Sequence, residues 1–247
     1  MFTKPDYPTS RKMSLKAIAA SHSMRCDAKQ ADVMFEEFEK FLEDRATYFL
    51  GEVLPEPFVK GIQPTYLEDN SGVPVINTLS IQNMTIQIDD CRYISEEDFD
   101  ALDDSRKLKI GDVLLTVDGG TSIGKPVIFD LEGDFTIDSH VVILRPKGMS
   151  PQALAYLLAS PLGQVQFLKS ESGASGQTTV TEDDLRRFRF PKIDSETLEK
   201  LVDTVVAGRE KIKRIVGKLK TKEAKIWDEF SSCLGRAEGL GTDKGQE

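Results

Sequence analysis

Leu198, Val205, Ile212, Leu219 and Ile226 recur every seven residues without a break, and no other feature restricts the fold of this chain as tightly. A seven-residue apolar repeat kept up over four heptads builds a helix whose apolar stripe winds slowly around it, the seam of a coiled coil. Leu201, Val202, Ile215, Val216 and Phe230 fill the intervening places less regularly, and Arg209 and Glu223 fall near the seam, against a strict two-stranded zipper. The repeat predicts one long helix over 193–235, some 40 residues at 1.5 Å each and so roughly 60 Å of rod. That is longer than a single small domain needs, and its leucines require a partner helix. The helical stretch from Met34 to Leu42 is too short to cover them alone. Beyond Gly235, residues 236–247 are polar and are expected to be disordered.

A second feature organises the middle of the chain. Val113, Leu114, Leu115 and Val117 form a short strand-forming run behind a Gly-Asp turn signal. Asp118-Gly-Gly-Thr-Ser is a turn cluster, and Pro126-Val-Ile-Phe reads as the returning strand, with proline where a missing N–H does least harm. The loop between them holds small hydroxyls, one carboxylate and one lysine, a composition suited to polar contact. Gly119-x-x-x-x-Gly124-Lys125 also matches a phosphate-binding loop up to its last position. That position needs a Ser or Thr for magnesium and should open a helix; Pro126 does neither, so a nucleotide site is not expected.

The rest of the chain reads as follows. Residues 1–24 are a polar, weakly patterned lead-in. Within 25–57 a helical period runs from Ala28 to Phe49, with Met34, Phe35, Phe38, Phe41 and Leu42 on one face, and Gly51, Pro55 and Pro57 end it. From 58 to 192 the pattern shortens into strands: Val73 to Ile81, Met84 to Ile88, the hairpin, and Val141 to Leu144. Ser95 offers an N-cap to a short acidic helix. Ser150-Pro151 starts a helix running to about Leu168, Gly173-Ala-Ser-Gly-Gln-Thr-Thr is a second polar loop, and Thr181 caps a short turn before Phe188-Arg-Phe-Pro191.

Composition removes several classes of function. No run of about 18 apolar residues exists, and the N-terminus lacks an apolar signal core, so a cytoplasmic protein is expected. Cys26, Cys91 and Cys233 lie far apart, which indicates neither a disulfide framework nor a zinc knuckle. No nucleophile, metal cluster or cofactor fingerprint is assembled; catalytic and metal-ligating residues are expected to be none, and His140, at a strand start, is read as structural. Net charge is −9, but residues 89–104 hold eight carboxylates against Arg92 alone. Charges act over roughly a Debye length, about 8–10 Å in physiological salt, so a local face remains free to meet phosphates.

With these pieces placed, the order of motifs resembles the specificity (S) subunits of type I restriction–modification systems. Arg25-Cys-Asp-Ala, the early helix and Gly72-Val-Pro-Val-Ile-Asn-Thr-Leu-Ser-Ile look like the start of that family's target-recognition domain. Leu108-Lys-Ile-Gly-Asp-Val-Leu-Leu-Thr, Ile123-Gly-Lys, His140-Val-Val-Ile-Leu-Arg-Pro, Leu154-Ala-Tyr-Leu-Leu-Ala-Ser-Pro-Leu-Gly-Gln-Val-Gln, Gly173-Ala-Ser-Gly-Gln and the Phe-Pro before a long helix follow in the family's order. The resemblance covers about residues 25 to 230. It implies an α+β fold, one mixed β-rich target-recognition domain over 58–192 followed by a long C-terminal coiled-coil or spacer helix.

The family's usual subunit carries two recognition domains and two spacer helices, whereas this chain resembles one of each, a half-length form. The resemblance then implies that two copies pair, that another half-length chain supplies the second half, or that the product is truncated. It also places the chemistry elsewhere. No cofactor is expected on this chain; companion methyltransferase (modification) subunits bind S-adenosylmethionine and methylate adenine, and a restriction subunit, where present, uses ATP and Mg. The implied partner is double-stranded DNA.

Reading DNA requires side chains at base edges and phosphate contacts that fix the register. The candidates are the polar residues of three loops: Thr78, Ser80, Gln82 and Asn83; Asp118, Thr121, Ser122 and Lys125; and Ser175, Gln177, Thr178 and Thr179. Gln or Asn takes adenine bidentately, and an Asp accepts from a cytosine amino group. Arg186, Arg187 and Arg189 are the phosphate candidates, and Leu198, Val205, Ile212, Leu219 and Ile226 the partner interface. A second reading, from the net charge, is a coiled-coil assembly adaptor with a degenerate recognition domain, working through protein partners alone.

Overall fold

The structure, a computed structural model, describes residues 33–170 and 178–239 together with Leu15, with side chains as far as Leu234. The rest of the lead-in, the Arg25-Cys-Asp-Ala motif, Ser175, Gln177 and residues 240–247 lie outside these. The elements in order are α1 (Val33–Glu43), β1 (Thr47–Phe49), β2 (Val59–Lys60), β3 (Val73–Ile76), β4 (Ile81–Gln82), β5 (Thr85–Ile86), β6 (Arg92–Ile94) and α2 (Glu96–Asp100). Then come β7 (Val113–Thr116), β8 (Pro126–Ile128), β9 (Thr136–Ile137), β10 (Val141–Leu144), α3 (Pro151–Ala159), α4 (Pro161–Ser170), α5 (Glu182–Arg186), β11 (Arg189–Pro191) and α6 (Ser195–Gly239). The chain divides into two compact units, Met1–Ser195 and Glu196–Glu247.

At the centre of the first unit is an antiparallel sheet in the order β2-β10-β7-β8. Its middle strands are buried on both faces, which is why they read as continuous apolar runs and not as alternation. Successive side chains divide between two cores. Val113, Leu115, Val142 and Leu144 join Leu154, Leu158, Phe167 and Phe188 on the side of α3 and α4. Leu114, Val127, Val141 and Ile143 join Ile76, Phe129, Phe135 and Ile137 on the other. That second core lies towards the sheet β6-β3-β9, in which β3 and β9 run parallel. A one-residue slip of β7 would exchange the two sets, so the register is strongly fixed.

Buried charge fastens this sheet. Asp112, 5 % exposed at its side chain, takes Arg145 Nε at 2.7 Å and Nη2 at 2.8 Å, and accepts the Lys109 N–H at 3.0 Å. The Lys-Ile-Gly-Asp and Leu-Arg-Pro segments, far apart in sequence, are thus two halves of one bidentate pair.

Several boundaries differ from the sequence reading, each for a local reason. The early helix stops at Glu43, because Thr47–Phe49 pairs with β11 as a strand. The run Val73–Ile81 is broken after Ile76: Asn77 Oδ1 accepts the N–H groups of Leu79 and Ser80, turning the chain into β4. The helix expected from Gln152 to Leu168 is two helices, divided at Ser160 where Pro161 supplies no N–H and Ser160 is extended. The caps expected at Ser95, Ser150 and Thr181 all form.

The second unit is the long helix α6. From Val205 onward its seam is open to solvent, with Ile212 61 %, Leu219 58 % and Ile226 65 % exposed, and Trp227 packs edge-on against Phe230 at 5.9 Å. No helix among the described residues is long and apolar enough to cross a membrane.

Candidate nucleic-acid interface

The loop between β7 and β8 is held from its base. Thr116 Oγ1 donates to the Ser122 carbonyl and accepts the Lys125 N–H at 3.0 Å, and the Gly124 N–H reaches the Thr116 carbonyl at 2.9 Å. Gly124 has φ +78°, and a Cβ there would stand 2.8 Å from the Phe167 ring. Only glycine satisfies both demands. Gln164 on α4 donates to the Gly124 carbonyl at 2.8 Å, so the Ile-Gly-Lys and Pro-Leu-Gly-Gln segments lock together. Pro126 opens a strand and no helix follows, so the loop lacks the architecture of a nucleotide-binding loop.

The third candidate loop is tied to this one. Asp118 and Thr179 form an isolated antiparallel bridge, flanked by Gly119 N–H to the Thr178 carbonyl at 3.0 Å and Val180 N–H to the Val117 carbonyl at 2.9 Å. Thr179 Oγ1 donates to the Asp118 carboxylate, and Lys60 Nζ on β2 donates to it at 2.9 Å. Burial pushes the Asp118 carboxyl up, but the Thr179 hydroxyl, the Lys60 ammonium and His140 outweigh it, leaving the pKa below the ordinary aspartate value. Asp118 is therefore not a free acceptor for a cytosine amino group. It clamps the two loops. Lys60, which carries no local sequence signal, completes the clamp.

The first candidate loop joins through the β4-β5 hairpin. Its two-residue tip, Asn83-Met84, has φ of 50° and 58°, both positive as a type I′ turn demands. Strand β5 lies against β8. Met84 from the tip and Ile123 from the β7-β8 loop pack on the same core. Gln82 and Asn83 are exposed; Gln82 Nε2 donates to the Leu79 carbonyl and to Asp90 Oδ2, both at 2.9 Å. Thr78 is half-buried in the turn. Ser80 is fully buried, its Oγ accepting the Asn77 N–H at 2.8 Å and donating to the Asn77 carbonyl at 2.9 Å, so it shapes the turn and reaches no base.

Thr121 is exposed and Ser122 and Lys125 are half-buried in the loop. The Lys125 ammonium makes no ion pair among the described residues, whereas two of the three arginines are committed inside the domain. Arg186 donates to Glu182 and to the carbonyls of Leu54 and Glu56, and lies over the Phe58 ring. Arg189 pairs with Glu39, which also takes Lys169 at 2.6 Å. Neither is placed as a phosphate contact. Arg187 is half-exposed and pairs with Asp183 at 3.3 Å.

His140 lies behind the clamp, its N–H on Asp138 Oδ1 at 2.9 Å and its carbonyl accepting the Val117 N–H. Burial and, less strongly, the like charge of Asp118 raise the Asp138 pKa, with the His140 N–H acting against them. Among the described residues no group of three or more His, Cys, Asp or Glu is placed to hold a metal ion.

This arrangement, a sandwiched antiparallel sheet with a three-loop face followed by a long helix, is the fold of the type I restriction–modification specificity subunits. It superposes on the S subunit of the type I restriction-modification system from M. genitalium with a TM-score of 0.50 and 11 % identity, over 71 % of this chain and 42 % of that one. A chain from a structure of type I R-M complex assembly and conformational transition gives 0.48 and 18 % identity, over 88 % and 53 %. The HsdS subunit from Thermoanaerobacter tengcongensis gives 0.46 and 16 %, over 70 % and 39 %. The chain thus spans less than half the length of the first of these subunits. No family model and no curated protein matches its sequence.

Proposed function

We propose that this chain is the non-catalytic DNA-recognition subunit of a type I restriction–modification or type I-like methyltransferase complex. Its recognition domain reads one half-site of double-stranded DNA, and α6 joins it to the other half of the assembly, a second copy or another half-length specificity chain, and to adenine methyltransferase subunits. S-adenosylmethionine belongs to the methyltransferase, and ATP and Mg to a restriction subunit where one is present. The observation that carries the reading is the convergence of three polar loops on the β7-β8 hairpin, held by the Asp118 clamp and the Gly124 lock in a domain of the specificity-subunit fold. Such a fixed polar surface is what base reading requires, since ordering a loop on binding weakens affinity.

The adaptor reading draws support from one observation: Arg186 and Arg189, two of the three arginines expected to meet phosphates, are paired inside the domain. Salt dependence separates the two. A complex that neutralises about six phosphates loses roughly a thousandfold in affinity between about 50 and 200 mM salt. Fluorescence anisotropy of the chain, assembled with its methyltransferase, on a duplex library should show this steep loss. An assembled complex that binds no duplex at the low-salt end contradicts DNA reading and leaves the adaptor.

A further inference from the structure

The acidic chain carries a strongly basic stretch where the seam is most exposed. Between Lys211 and Lys225 seven cations face a single carboxylate, Glu223, a local net charge of +6 in a chain of −9. At 100° per residue, Lys211, Arg214, Lys218, Lys222 and Lys225 fall within an arc of about 80° along one edge of the apolar seam. Lys213 and Lys220 flank its other edge. Among the described residues none of these seven is ion-paired, whereas Lys200 in the first turns of the same helix holds Glu196. An apolar stripe bordered on both sides by cations fits the apolar stripe of another helix bordered by carboxylates, because flanking charges set partner choice in paired helices.

We infer that the occupant of the α6 seam is a helix of another chain with an acid-flanked apolar stripe, and not α6 of a second copy. The basic stretch is centred on residue 218, and α6 itself, Ser195–Gly239, is centred on residue 217. Full overlap of two copies therefore lays the +6 stretch on itself whether the helices run parallel or antiparallel. A stagger that avoids the clash gives up about half of the seam. Like charges a few ångströms apart work against pairing at ordinary salt. Duplex DNA would match the lysines but would leave Ile212, Ile215, Leu219 and Ile226 in water, so the seam points to protein. Glu223, inside the seam, calls for one cation in the partner. The inference rests on the reading of α6 as an assembly helix and is independent of whether the domain reads DNA.

Two synthetic peptides of four heptads, alike in their Ile/Leu core and carrying either Glu or Lys at every flanking position, test it by anisotropy against the full chain. The Glu-flanked peptide should bind and the Lys-flanked one should not, with affinity falling on the order of tenfold or more between about 50 and 500 mM salt. The chain alone should sediment as a monomer at the low-salt end. Replacing Lys211→Glu, Lys218→Glu, Lys222→Glu and Lys225→Glu together should exchange the peptide preference. Ile212→Asp with Leu219→Asp should abolish binding of the Glu-flanked peptide. A chain that is a stable low-salt dimer and ignores the Glu-flanked peptide overturns the proposal. So does binding that survives the seam variant, which would be bulk charge attraction, or displacement of the peptide by a random-sequence duplex.

Discussion

At the residue scale, Gly124 is the position where backbone and packing agree most closely. Gly124→Ala forces an L-residue to φ +78° and drives a methyl against Phe167. The expected cost is on the order of 3 kcal/mol, from the left-handed backbone and the overpacking together. Thermal unfolding should show a Tm lower by about 6–12 °C. Asp112→Ala strands Arg145 without its carboxylate; removing one partner of such a buried pair costs about 3–5 kcal/mol, read by denaturant unfolding. Asp138 behaves in the opposite sense. Its folded pKa is raised, so its contribution to stability is fully present below the unfolded aspartate pKa and is lost as pH rises through the folded value. Asp138→Asn keeps the acceptor for the His140 N–H and mimics the neutral acid. Its Tm advantage over the parent should therefore grow from pH 4 to pH 8, and an advantage that shrinks contradicts the assignment.

At the element scale, the hairpin β7-β8, the acidic α2 with its Ser95 cap and the long α6 were all legible in the sequence, because each is announced by local chemistry: a turn cluster, a cap, a heptad repeat. What escaped depends on residues distant in sequence. Nothing near Arg189 shows that Glu39, 150 positions earlier, takes its guanidinium, and nothing near Lys60 announces Asp118. Ser80 looked like a loop hydroxyl only because the Asn77 turn around it is invisible without its hydrogen bonds. Two consequences follow for the loops. Lys125→Ala should weaken duplex binding roughly equally across sequences and lower the salt slope by about one. Thr121→Ala removes an exposed hydroxyl that makes no hydrogen bond among the described residues, and should alter which duplexes are preferred while leaving the unfolding free energy within about 0.5 kcal/mol of the parent.

At the scale of the whole molecule, the proposed function divides the work between a polar face that reads and an exposed seam that assembles. The face is built within the first unit by contacts spanning residues 60 to 179, and the seam belongs to α6 alone. The most direct test is to co-express the chain with a methyltransferase encoded beside it and map adenine methylation across the genome by single-molecule sequencing. The account predicts a bipartite methylated motif in which each half read by this chain changes with Thr121→Ala, whereas Lys125→Ala lowers the extent of methylation and leaves the motif as it is. Identical inverted halves would show two copies in the complex, and unlike halves a second specificity chain, as the charge of α6 favours. A stable complex with an active methyltransferase and no methylated motif would contradict DNA reading.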